Sequence, residues 1–249
     1  MHSIKTPNDV SLCYLGPKLE HGPMPAVIYF SLCAKESLSL PPYNQPATFL
    51  QNYPLRIFSF TIPGHGEGFD KFRALDYWAQ QMMAGHDLLS PFFEQTAHSI
   101  NWLVDQHVIL PHAVALAGLS RGAFVATHVA THCPHASLLL GFAPMTCVSK
   151  MTVFNQVQRD LSTLDLISII AKLDHIKHIR CYIGNRDTLV GTKSCFEWTQ
   201  ALVEHHHTQH LKHSVELFLT PSIGHHGHGT STEIFAEGSS WLKHYLLEQ

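Results

Sequence analysis

The chain has 249 residues, 45% of them hydrophobic and 14% charged, with a formal net charge of −3. That is enough apolar material for one sizeable core, and the length fits a single large domain spanning 1–249. It excludes the basic stripe that nucleic acid or an anionic membrane would need, since the basic residues are scattered, and no apolar run of about 18 residues marks a membrane span.

Strand-like and helix-like segments alternate along the chain, with no repeat or low-complexity linker. This favours an α/β fold, a parallel sheet covered by helices on both faces. The stretch up to about Tyr14 reads as an antiparallel edge hairpin. Ala26 to Ser31 is the first strong strand, a continuous apolar run after the breaks at Pro23 and Pro25. Leu55 to Thr61 is the next, ended by Pro63-Gly64. Two helices follow, one capped by Asp76 and one opened by Ser90-Pro91.

Ala113 to Ala117 is a short buried strand, followed by a helix from Arg121 to about Thr131 that stops before Pro134. Ser137 to Phe142 is a strand, and Leu161 to Leu173 has helical apolar spacing. Ile179 to Ile183 and Val215 to Leu219 complete the strands. Capping boxes at Ser194/Glu197 and Thr230/Glu233 open the last two helices. The stretch 144–160, with Pro144, Met145, Met151 and Phe154, is either a small cap over the acyl site or a crossover packed on the core.

The sharpest motif is Gly118-Leu119-Ser120-Arg121-Gly122, directly after a strand and directly before a helix. The chain must reverse there in almost no residues, thrusting the serine hydroxyl outward on strained backbone. Side chains two positions to either side would collide, hence the glycines. The new helix also points its first amides at the site, where an oxyanion would develop. Ser120 is therefore the expected nucleophile. It needs a base, and the base needs an orienting carboxylate. Asp187, just past the strand 179–183, is the expected acid; the alternative is a turn aspartate capping its own loop. Three histidines follow the last strand: His225, His226 and His228. His225 is favoured as base and His226 is the alternative, leaving a loop hydrogen-bonder or a solvent-facing residue among the others.

This ordered set resembles the α/β-hydrolase superfamily, nearest to its dienelactone-hydrolase and prolyl-oligopeptidase-like branches. The elbow at 118–122, the loop Ile183-Gly184-Asn185-Arg186-Asp187 and the loop Pro221-Ser222-Ile223-Gly224-His225 are similar to its three catalytic loops. Pro63-Gly64-His65-Gly66 is similar to its P-G-H-G loop. The resemblance runs from about residue 24 to the C-terminus. It implies a mostly parallel sheet of about eight strands and hydrolysis of an ester or amide through an acyl-enzyme. A carboxylesterase-like activity on a small or medium ester or thioester is expected, with an inactive binding protein, an acyltransferase or a peptidase as alternatives.

Many relatives carry His-Gly-Gly after the strand equivalent to 26–31; this chain has Ser31-Leu32-Cys33-Ala34. Backbone amides of Leu32 or Cys33, with that of Arg121, are the expected oxyanion donors, since such donors need no particular side chain. Cys33 is equally readable as a packing residue. His65, between two glycines, is expected to order its loop.

The six cysteines lie far apart with no C-x-x-C pair and read as small buried residues, not as disulfide partners. The 21 histidines include a cluster at His205, His206, His207, His210 and His213, read as a solvated polar turn. No metal and no cofactor are expected. The N-terminus lacks the apolar run of a secretion signal, so a cytoplasmic location is expected.

Overall fold

The computed structural model describes residues 1–7 and 10–248. Eight strands form one sheet: β1 His2–Lys5, β2 Ser11–Leu15, β3 Met24–Phe30, β4 Arg56–Phe60, β5 Ile109–Leu119, β6 Ala136–Phe142, β7 His178–Gly184 and β8 Ser214–Thr220. Their order is β1-β2-β4-β3-β5-β6-β7-β8. The edge hairpin β1–β2 is antiparallel, and β2 also runs antiparallel to β4. From β4 to β8 every neighbouring pair is parallel.

The continuous apolar runs are explained by burial on both faces. Along β3, Ala26, Ile28 and Phe30 point to one side, while Val27 and Tyr29 point to the other. The first side is covered by α3 Ala74–Met83, α4 Leu89–Asp105, α5 Arg121–Ala130 and α6 Thr192–Thr208, through Trp78, Phe93, Phe124 and Trp198. The second is covered by α1 Ala34–Ser39, α2 Gln45–Leu50 and α7 Thr232–Leu247, through Leu38, Leu50, Phe235 and Trp241. Among the described residues no helix is long and apolar enough to cross a membrane.

One polar residue is sealed between the β2–β3 connection and the body of the sheet. Arg56 on β4 is fully buried and donates to four carbonyls: Pro17, Lys18, Gly22 and Val108. A buried guanidinium costs several kcal/mol unless its donors are met, and here the main chain meets them.

Several helix starts differ from expectation. α4 is capped by Asp87, whose Oδ1 accepts from the amides of Leu89 and Ser90. Asp76 lies inside the first turn of α3, paired with Arg73. α6 begins at Thr192 after Gly191, and so Ser194 is already helical. α7 is capped by Ser231, one residue past Thr230. The expected helix 161–173 is a pair of 3-10 segments, Ser162–Leu164 and Leu166–Leu173. In the second of these, Ser168 Oγ donates to the carbonyls of Thr163 and Asp165, which competes with an α-helical ladder. α1 and α2 have no counterpart among the expected elements.

Candidate active site

Ser120 sits at the joint between β5 and α5 with φ 58° and ψ −121°, a left-handed conformation that a non-glycine residue adopts only under tight constraint. The constraint is visible. Its amide donates to the Phe142 carbonyl on β6 at 2.8 Å, and its carbonyl accepts from Met145 at 3.2 Å. A Cβ on Gly118 would run into the backbone of Gly122, and a Cβ on Gly122 into the carbonyl of Phe30. Both glycines are thus required by the packing of the elbow on its neighbours. The Arg121 amide is the first of α5 and has no partner in the helix's own ladder.

Asp187 follows β7 and is buried. Its Oδ1 accepts the amides of Leu189 (2.9 Å) and Val190 (3.0 Å), so it does cap its own turn. Its Oδ2 is left to receive His228 Nδ1–H at 2.6 Å. Burial pushes the carboxyl's pKa up, but His228 and the two amides outweigh it and hold the group below the ordinary carboxylate range. The other ring nitrogen of His228, Nε2, accepts from Ser120 Oγ at 2.7 Å. Because Nδ1 faces a carboxylate, it carries the proton, which leaves Nε2 as the acceptor.

The structure places His228, not His225 or His226, between Ser120 and Asp187. The reason is the closure of the loop. Ile223 and Gly229 pair across it, with the Gly229 amide donating to Ile223 O at 2.7 Å. Gly224, His226 and Gly227 all take positive φ inside this turn. His225 and His226 are left at its exposed tip. His226 contributes through its carbonyl, which accepts the Thr188 amide at 2.9 Å and ties the loop to the turn of Asp187. Past Gly227 the chain re-enters the site and delivers His228. The pattern Gly227-His228-Gly229 was a usable sequence signal, since glycines on both sides permit the close approach.

In the expected oxyanion loop, one of the two candidate amides already has a partner. Leu32 borders the cavity at Ser120, but its amide donates to Ser37 Oγ, fully buried in α1, at 2.9 Å. Cys33 is the N-cap of α1: its sulfur accepts the Glu36 amide and its thiol faces Glu36 Oε2. Burial first, and the neighbouring Glu36 charge with it, raise the thiol's pKa, the opposite of an activated nucleophile. It borders a separate surface depression beyond His65.

His65 is buried, with Nδ1 on the Pro63 carbonyl (3.2 Å) and Nε2 accepting Arg121 Nε–H at 2.9 Å. Burial, then the Arg121 charge, depress its pKa to about 4, so it stands neutral and orders the loop as expected. Met145 and Met151 from the stretch 144–160 form one cavity wall, while Phe154 packs in the core. In the histidine cluster, His205 pairs with Asp174 at 2.7 Å. Among the described residues no group of three or more potential ligands is arranged to hold a metal.

The cavity next to Ser120 has a volume of about 360 Å³, the lower end of the range for small-molecule sites. Its surface is mostly apolar, from Leu32, Leu75, Met145, Met151 and Leu189, and besides Ser120 and His228 its polar lining is Ser31, Tyr43, Arg121 and Thr230.

By sequence, no family model and no curated protein matches the chain. By structure it is similar to TT1662 from Thermus thermophilus, with a TM-score of 0.69 and 17% identity over 100% of this chain and 98% of that one. A cold-adapted esterase from an Arctic intertidal metagenomic library gives 0.62 and 16%, covering 97% and 91%. XC6422 from Xanthomonas campestris, described as an α/β serine hydrolase without a lid, gives 0.55 and 14%, covering 98% and 91%. The likeness at these identities is one of architecture: the chain has the α/β-hydrolase fold.

Proposed function

We propose that the protein is a serine hydrolase that cleaves a small or medium carboxylic ester or thioester. The observation that carries this reading is the unbroken line Ser120 Oγ, His228, Asp187, with bonds of 2.7 and 2.6 Å. Ser120 Oγ attacks the carbonyl carbon as His228 Nε2 takes the hydroxyl proton. The tetrahedral oxyanion is stabilised by the Arg121 amide and the start of α5. The Leu32 amide joins only by exchanging Ser37 for the substrate oxygen. His228 returns its proton to the leaving alcohol or thiol, and the acyl-enzyme forms. Water, deprotonated by the same nitrogen, releases the acid and restores Ser120. Asp187 holds the imidazole in the required tautomer and stabilises its charge during each transfer.

The reading is tested by labelling the purified protein with a fluorophosphonate, beside Ser120→Ala. Labelling of the wild type alone is expected. A folded wild type that stays unlabelled would overturn the assignment in favour of a binding protein on a hydrolase fold.

A further inference from the structure

The cavity beside Ser120 is bordered by a cation that no anion answers. Arg121 is largely buried, and both of its hydrogen bonds end on neutral acceptors: Nε on His65 Nε2 at 2.9 Å and Nη2 on the Lys71 carbonyl at 2.7 Å. Glu36, which approaches the same Lys71, is taken by Lys71 Nζ at 2.8 Å and by the Cys33 thiol. Asp187, the carboxylate of the triad, is engaged by His228 and two backbone amides, so Arg121 is left without a carboxylate partner. His65 adds no charge, being neutral.

Arg121 Nη1 makes no hydrogen bond among the described residues, yet it is not one of the sealed, orphaned polar atoms, so it remains accessible. Tyr43 borders the same cavity, and its hydroxyl likewise has no partner among the described residues. A guanidinium withdrawn from water has lost part of its hydration without gaining a counter-charge. A carboxylate reaching it would meet a preorganised planar donor in a cavity of mostly apolar surface, where charge-assisted hydrogen bonds are strong.

We infer that the cavity takes substrates bearing a carboxylate a few carbons from the scissile carbonyl, seated on Arg121 Nη1 and the Tyr43 hydroxyl, with the connecting carbons against Met145 and Met151. This deepens the acyl-transfer reading and rests on it. Hydrolysis gives a dicarboxylate and an alcohol when the charge lies on the acyl side, or a monocarboxylate and a hydroxy acid when it lies on the leaving side, water supplying the hydroxyl to the acyl carbon and the proton to the leaving oxygen.

The test compares acids with their neutral esters on each side of the scissile bond. Monomethyl glutarate is set against dimethyl glutarate, and acetoxyacetate against methyl acetoxyacetate. In at least one pair the acid is expected to show a kcat/KM about ten-fold higher or more, the worth of one charge-assisted hydrogen bond. Arg121→Gln should bring that ratio close to one, and Arg121→Lys should restore part of it. In parallel, calorimetry follows glutarate binding to Ser120→Ala, which should weaken about ten-fold or more when Arg121→Gln is added. A wild type that labels with fluorophosphonate and hydrolyses the diesters without favouring either acid would refute the inference and leave the hydrolase reading standing. A protein that neither labels nor turns over esters would refute that reading, and glutarate binding that ignores Arg121 would then refute the anion site as well.

Discussion

A Cβ on Gly184, at the end of β7, would stand 2.5 Å from the carbonyl oxygen of Gly227. The strand that leads to Asp187 and the loop that delivers His228 therefore meet backbone to backbone. Gly227 is confined in return: φ is +75°, and a Cβ there would collide with the Arg186 carbonyl.

Gly227→Ala should accordingly do more harm to chemistry than to folding. The loop must shift to relieve the contact, and a shift of about 1 Å at His228 is enough to cost roughly a hundred-fold in rate. The strain itself should cost about 1–3 kcal/mol of stability. Gly22→Ala is the control, because it has a similar φ of +79° and nothing within 4 Å of the new methyl. Fluorophosphonate labelling rates and urea midpoints of the two variants separate the effects. Equal labelling in both would show that this contact does not position His228.

The histidine loop gives a sharper test of roles. His228→Ala should lower the labelling rate and ester turnover by about 10⁴-fold or more, since Ser120 then has no acceptor for its proton. His225→Ala, at the exposed tip, should stay within a few-fold of wild type. The reverse ranking would mean that the loop rearranges when substrate binds.

Stability should fall on mild acidification, in part through His128 on α5. This residue is buried, stacked on Phe93 at 4.6 Å between ring centres, with Nε2–H donating to the Leu164 carbonyl at 2.9 Å. Burial depresses its pKa to about 4. The unfolded chain has an ordinary histidine near 6.5 and so binds the proton first as pH falls. Stability from this site is therefore complete above about pH 6.5 and is lost as pH drops toward 4, roughly 2 kcal/mol of it between pH 7 and 5. His128→Phe should cost about 1–2 kcal/mol at pH 7 by orphaning the Leu164 carbonyl. It should also flatten the dependence between pH 7 and 5. Urea titrations at the two pH values suffice, and an unchanged slope in the variant would count against the buried neutral imidazole.

What could be read from the sequence divides along physical lines. The elbow was legible because strand, reversal and helix in five residues demand glycine at both 118 and 122. The strands were legible because β3 and β5 are buried on both faces and so read as unbroken apolar runs. The base was not, because the choice among three neighbouring histidines depends on the pairing of Ile223 with Gly229 and on the carbonyl of His226. Neither interaction involves a histidine side chain. The partner of the Leu32 amide was not legible for a related reason: Ser37 belongs to a six-residue helix with no periodic signal. The apolar spacing of 161–173 was real, but hydroxyl groups at Ser168 and its neighbours set the backbone into tighter turns.

Arg56 carries a consequence for how this architecture tolerates change. All four of its hydrogen bonds end on main-chain oxygens, so the seam does not depend on which side chains Pro17, Lys18, Gly22 and Val108 present. Lys18, whose side chain is exposed, is free to drift while the joint stays intact. Arg56 is not, because lysine carries its three donors on one nitrogen and cannot span four carbonyls reached from three. One residue on β4 thereby fixes the path of the chain between β2 and β3, while the hairpin itself is held by the ladder of β2 on β4.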